Sequence, residues 1–162
     1  MLDQIIPIVR QAGEIVLSAR DIAAHTHDKG SPSDLVTEYD LAVERFLKEK
    51  LPPLVPGSVF FGEEEAERDD PSRGWAFIVD PIDGTTNFVR GLRQSAVSVA
   101  LAKDGAVEYG VVYDPYKNEL FSARPQAILH RSSAAAPSRR KSQLRRNRAS
   151  VMRRVGSRYS RL

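Results

Sequence analysis

Residues 75–87 read WAFIVDPIDGTTN, and this stretch decides the fold. Trp75, Ala76, Phe77, Ile78 and Val79 have the aromatic and β-branched content of a strand buried on both faces. Asp80 and Pro81 are expected to stop the strand, and Asp83 and Gly84 to turn the chain into a short helical turn at Thr85. A buried strand that ends in acids aims them from a rigid base, which a metal site needs.

Upstream, Ile5, Val9, Ala12, Ile15, Val16, Ala19 and Ile22 recur at helical spacing, predicting an amphipathic helix from Asp3 to about Arg20 with Pro7 near its first turn. HTHDKGSPS, residues 25–33, is turn-forming and reads as a loop. Thr37 and Asp40 have the spacing of a capping box, with Asp where Glu or Gln is usual, opening a second helix. That helix places Val43, Phe46, Leu47 and Leu51 on one face, and Pro52 and Pro53 end it. A short strand over residues 58–61 leads through Gly62 to the acids Glu63, Glu64 and Glu65.

Downstream, residues 95–103 alternate, Asp104 and Gly105 form a strong hairpin signal, and the chain returns over 106–113. A further turn at 114–118 leads to a last strand over 119–123. The order implies an α+β fold with two N-terminal helices packed on a predominantly antiparallel sheet.

A length of 162 residues, 41% hydrophobic and 28% charged, fits one soluble domain. The absence of cysteine excludes disulfides, zinc–thiolate sites, iron–sulfur clusters and thiol nucleophiles. His25, His27 and His130 have no metal-ligand spacing, so carboxylates must carry any metal. The N-terminus lacks the pattern of a signal peptide, and no apolar run approaches membrane-spanning length, so a cytoplasmic protein is expected.

The net charge of +3 hides a division. Residues 124–162 hold eleven Arg and one Lys without an acid, leaving twelve basic against 21 acidic residues before them, a net of −9.

Magnesium prefers oxygen ligands from one or two carboxylates, supplemented by water and substrate phosphate. Asp80 and Asp83 around Pro81 suit it, the Ile82 carbonyl could add an oxygen without adding charge, and Glu63 could approach from a neighbouring strand end. Backbone N–H groups at Gly84 and Thr85 could hold phosphate oxygens. The alternative readings are an ordinary turn at D-P-x-D-G and a solvated acidic loop at 63–65. Neither an EF-hand spacing nor a Walker A pattern occurs.

DPIDGTTNF, residues 80–88, resembles the signature of the inositol monophosphatase family of magnesium-dependent phosphomonoesterases. The resemblance extends to KGSPSDLVT (29–37), to FGEE (61–64) and through SVALAKDGAVEYGVVYDP to about Ala123. It implies a layered α/β sandwich of the sugar-phosphatase type, Mg2+ as cofactor and a small phosphorylated substrate. It also implies that Glu63, Asp80, Asp83 and the Ile82 carbonyl bind metal. Glu63 with Thr85 would activate the attacking water, while Asp83, Gly84 and Thr85 contact the substrate phosphate. Lys29 would lie in a loop at the mouth of the site. Family members are often homodimers, so the resemblance allows a homodimer.

Two departures accompany it. Residues 90–95 read RGLRQS where the family commonly has an H-G-x-P pattern, a change that bears on substrate fit. The family's W-D-x-A-A motif, whose aspartate completes the metal site, is absent. Residues 1–123 are therefore expected to form the N-terminal portion of such a domain. Residues 124–162 form an Arg-rich tail that reads as an out-of-frame or disordered extension. An impaired phosphatase follows as the expectation. The alternatives are a non-enzymatic chain that binds anions or RNA non-specifically through its tail, and a phosphatase for histidinol phosphate, a fructose bisphosphate or a nucleotide 3'-phosphate.

Overall fold

The computed structural model describes residues 1–31, 34–63, 72–124 and 130–133, with backbone alone at 23, 27–31, 34, 35 and 130–133. The apolar periodicity produces helix α1 (Leu2–Ser18), which buries Ile5, Val9, Ala12 and Val16. Because the helix starts at Leu2, Pro7 falls inside it rather than in its first turn, removing the bond to the Asp3 carbonyl. A 3₁₀ turn (Ile22–His25) follows.

The stretch expected to be a loop instead begins a hairpin. Strand β1 (Thr26–Ser31) pairs antiparallel with β2 (Asp34–Thr37), aligning Thr26 with Thr37. Backbone pairing here overrides a sequence rich in turn formers. Thr37 then caps α2 (Glu38–Lys50) through the capping box with Asp40. The helix buries Val43 and Leu47, and Leu51 closes it ahead of a 3₁₀ turn at Pro52–Leu54.

Among the described residues the main sheet has six strands in sequential order: β3 (Val59–Phe61), β4 (Trp75–Asp83), β5 (Ala96–Lys103), β6 (Ala106–Asp114), β7 (Glu119–Ala123) and β8 (His130–Ser133). Only β3–β4 is parallel, so the sheet is predominantly antiparallel as expected. Asp104 and Gly105 both have positive φ at the β5–β6 turn, which suits a tight hairpin. Two differences from the expectation bear on function. β4 continues through Pro81 to Asp83 instead of stopping at Val79. The basic end also contributes β8 to the sheet edge, where backbone bonds to β7 need no apolar alternation.

Phe77, Val79, Val97, Val99, Leu101, Val111, Tyr113 and Leu120 form one core with the buried faces of α1 and α2. Close approach requires Gly13, because a Cβ there would lie 2.4 Å from the Tyr113 ring. Arg10 stacks over the same ring at 5.1 Å and donates to Asn118 Oδ1 at 2.6 Å. The opposite sheet face presents small residues, Ala76, Ala100, Ala102 and Gly110.

Candidate active site

The extension of β4 past Pro81 determines where its acids point. Asp80 pairs with Ser98 and Asp83 with Ala96, so three steps along β4 face two along β5. Residues three apart on a regular strand project to opposite faces, but the extra residue of a bulge cancels that inversion. Asp80 and Asp83 therefore share the sheet face of Ser98 and Ala96. Ile82 joins the core on the helix side and is 2% exposed. Pro81 is tolerated because the irregular step needs no ladder bond from it.

Parallel pairing of β3 with β4 ends at Phe61 opposite Ile78. Glu63 and Asp80 thus each lie two residues beyond the last pair, at the same end of the sheet. All three acids are half-buried. The bulge puts Asp80 and Asp83 on one face, but among the described residues no group of three or more His, Cys, Asp or Glu side chains, Glu63 with these two included, converges to metal-binding distance. Side chains of Lys29, Glu64 and Glu65 lie outside the described residues.

Gly84 adopts φ +96° and begins the short helix α3 (Thr85–Val89). A side chain at Gly84 would meet the Gln94 carbonyl at 3.1 Å, and Asn87 Nδ2 donates to that same oxygen at 3.1 Å. The exposed 90–94 loop is thereby tied back onto the turn that carries Thr85.

Asp40 is a residue that the sequence reading took for a helix cap alone. It is 1% exposed. Thr37 donates to Oδ2 from its N–H at 2.8 Å and from Oγ1 at 2.5 Å. Thr85 Oγ1 lies within donating distance of Asp40 Oδ1 at 3.3 Å and of the Ile82 carbonyl at 3.0 Å. Burial pushes the Asp40 carboxyl above its ordinary pKa of 3.8, against the opposing pull of the Thr37 and Thr85 hydrogen bonds. Its signal in the sequence was the short acid at a position where a capping box usually has Glu. Phe88 of α3 packs edge-on to Tyr39, ring centroids 5.9 Å apart, which fixes α3 against α2.

The donor set at this end of the sheet consists only of oxygens: two carboxylates on one face, a third at the adjoining strand end and the Ile82 carbonyl. These are hard ligands, and magnesium needs only one or two protein carboxylates because water and phosphate complete its shell. In donor type and number the residues fit such an ion.

A sequence profile of the inositol monophosphatase family matches residues 1–160. Inositol monophosphatase 1 of Sus scrofa is 37% identical over 126 residues, covering 76% of this chain and 46% of that protein. Nus factor SuhB of Escherichia coli K12 is 35% identical over 125 residues, with the same two coverages. Among solved structures, the extragenic suppressor protein suhB of Bartonella henselae superposes with a TM-score of 0.73 at 29% identity, over 86% of this chain and 55% of that one. Inositol monophosphatase-II of Staphylococcus aureus gives 0.65 at 30% identity, over 85% and 51%. The chain spans about half the length of the curated relatives it matches.

Proposed function

The chain belongs to the inositol monophosphatase family, and on that premise we propose that it carries the metal- and phosphate-binding part of a magnesium-dependent phosphomonoesterase site acting on a small phosphorylated substrate such as inositol monophosphate. The observation that carries this reading is the β4 bulge, which turns Asp80 and Asp83 to one face, next in sequence to the turn whose Thr85 hydroxyl meets the Ile82 carbonyl. Asp80, Asp83, Glu63 and the Ile82 carbonyl would hold the metal. Bound there, the ion would lower the pKa of a coordinated water and stabilise charge on the leaving oxygen.

This chain's own residues do the rest. The Thr85 hydroxyl has one proton to donate, and of its two neighbours the Asp40 carboxylate is the stronger acceptor. With that proton held by Asp40, Thr85 Oγ1 turns a lone pair towards the attacking water. As the water oxygen bonds to phosphorus, its proton passes to Thr85 and the Thr85 proton passes to Asp40, while the ester oxygen departs with the bond electrons and takes a proton from solvent water, to which Asp40 later returns its own. The raised pKa of Asp40 makes it a better proton acceptor than an ordinary carboxylate. Glu63 orients the water from the β3 end, and the Gly84 and Thr85 amides hold the phosphate.

The chain has no Asp or Glu after Glu119, so a further acidic ligand from that part of the sequence is not available. Turnover by the 162-residue chain is therefore proposed to be low. Phosphate release from inositol monophosphate, measured with and without Mg2+ in the wild-type chain and in Asp83→Asn, tests the reading. A second reading rests on the twelve basic residues of 124–162: non-specific binding of RNA or other polyanions. Salt-sensitive RNA binding that disappears on deletion of 124–162 supports it, and its persistence after deletion removes it.

A further inference from the structure

Helix α2 buries a second carboxylate that the proposed chemistry does not use. Glu44 lies one turn after Asp40 and is only 2% exposed. Its carboxylate rests against Gly62: a Cβ built on that glycine would lie 2.4 Å from Glu44 Cδ, 2.4 Å from Oε1 and 2.6 Å from Oε2. Gly62 is absent from the positive-φ residues, so its missing side chain serves close approach and not an unusual turn. It follows Phe61, the last residue of β3 paired with β4, and directly precedes Glu63. A carboxylate is costly to bury unless polar groups surround it, and an exiting strand end offers backbone groups no longer used by the ladder.

We infer that Glu44 is a positioning residue for Glu63: its buried carboxylate fixes the backbone at Gly62 and so sets the direction in which Glu63 leaves β3. α2 would then support the site at two places one turn apart, Thr85 through Asp40 and Glu63 through Glu44. The inference rests on the proposed role of Glu63 as a metal ligand, and its test separates the two.

Mn2+ is titrated into the full 162-residue chain and free ion followed by electron paramagnetic resonance, for the wild type, Glu63→Gln, Glu44→Gln and Gly62→Ala. Amide hydrogen exchange at Gly62 and Glu63 is measured on the same proteins without metal. Groups that orient a metal ligand typically alter affinity by about 10–100-fold. Glu44→Gln and Gly62→Ala are expected to weaken Mn2+ binding by about that factor, to speed exchange at 62 and 63, and to leave exchange in β5 and β6 unchanged. The Glu44→Gln, Glu63→Gln double variant should bind no more weakly than Glu63→Gln alone. Wild-type Mn2+ affinity and wild-type exchange in Glu44→Gln overturn the inference. Faster exchange in Glu44→Gln with no effect of Glu63→Gln on Mn2+ overturns the ligand role of Glu63, and with it the purpose assigned to Glu44. Loss of protection throughout the sheet in both Glu44→Gln and Gly62→Ala also overturns it, because the pair then serves the fold as a whole.

Discussion

Thr85 Oγ1 stands 3.0 Å from the Ile82 carbonyl and 3.3 Å from Asp40 Oδ1, so a single hydroxyl joins α3 to the end of β4 and to the first turn of α2. Replacing it by the near-isosteric Thr85→Val leaves both acceptors without that donor. A buried acceptor stripped of its partner costs about 1–3 kcal/mol. Urea denaturation of Thr85→Val is expected to show a loss in that range, with Thr85→Ser recovering most of it. A Thr85→Val chain as stable as the wild type would mean that the hydroxyl does not hold these elements together.

The raised pKa of Asp40 makes a prediction with a definite sign. Burial favours the protonated carboxyl in the folded state, so between 3.8 and the raised folded value the native protein binds more protons than the unfolded chain. Stability must then fall as pH rises through that window, with the loss complete above the folded pKa and absent below 3.8. Denaturant midpoints recorded from pH 3 upward should contain this slope in the wild type and lack it in Asp40→Asn. Thr37→Val, which removes one of the hydrogen bonds that favour the charged form, should extend the window upward. Equal pH slopes in wild type and Asp40→Asn would count against a perturbed Asp40.

At Gly84 the backbone demands a glycine, since φ +96° is strained for any side chain and the Gln94 carbonyl lies 3.1 Å from the Cβ position. Backbone strain of this kind costs about 1–3 kcal/mol. Thermal melts should place Gly84→Ala well below the wild type. Gly110→Ala is the control, because among the described residues nothing lies within 4 Å of its Cβ position and its φ is ordinary. It should change stability little. Comparable losses in both variants would remove the special role of the Gly84 turn.

Much of this was legible in the chain, and where it was not the reason is physical. Local signals sufficed for α1, for α2 with its Thr37 cap, and for the Asp104–Gly105 hairpin, because side-chain periodicity and turn chemistry act over a few residues. The β1–β2 hairpin was hidden, since residues 25–33 are turn formers and only pairing with β2 makes Thr26–Ser31 extended. Pro81 read as a stop because a proline normally ends a ladder, yet the bulge between Asp80 and Asp83 accommodates it. The site was legible in part. Asp80, Asp83 and Thr85 stand out in one short stretch, but Asp40 comes within reach of Thr85 from 45 residues away, a contact that no local pattern encodes. Its capping role was visible and concealed the second one.

The bulge also makes a prediction about metal. If it turns Asp80 and Asp83 to one face for a shared ion, Asp80→Asn and Asp83→Asn should each weaken Mg2+ binding, and the double variant should abolish it. Asp114→Asn, two strands away along the same end of the sheet and paired with Lys117, should leave binding unchanged. Isothermal titration separates these outcomes, and equal effects of Asp83→Asn and Asp114→Asn would mean the binding is diffuse.

The most direct test is Mg2+-dependent phosphate release from inositol monophosphate by the purified 162-residue chain, run beside a full-length family member. The account predicts release that requires Mg2+, is lost in Asp83→Asn, and is slower than the full-length enzyme by at least about 10²-fold, the scale of removing one catalytic contact. A rate matching the full-length enzyme, or release that is indifferent to Asp83→Asn, would contradict it.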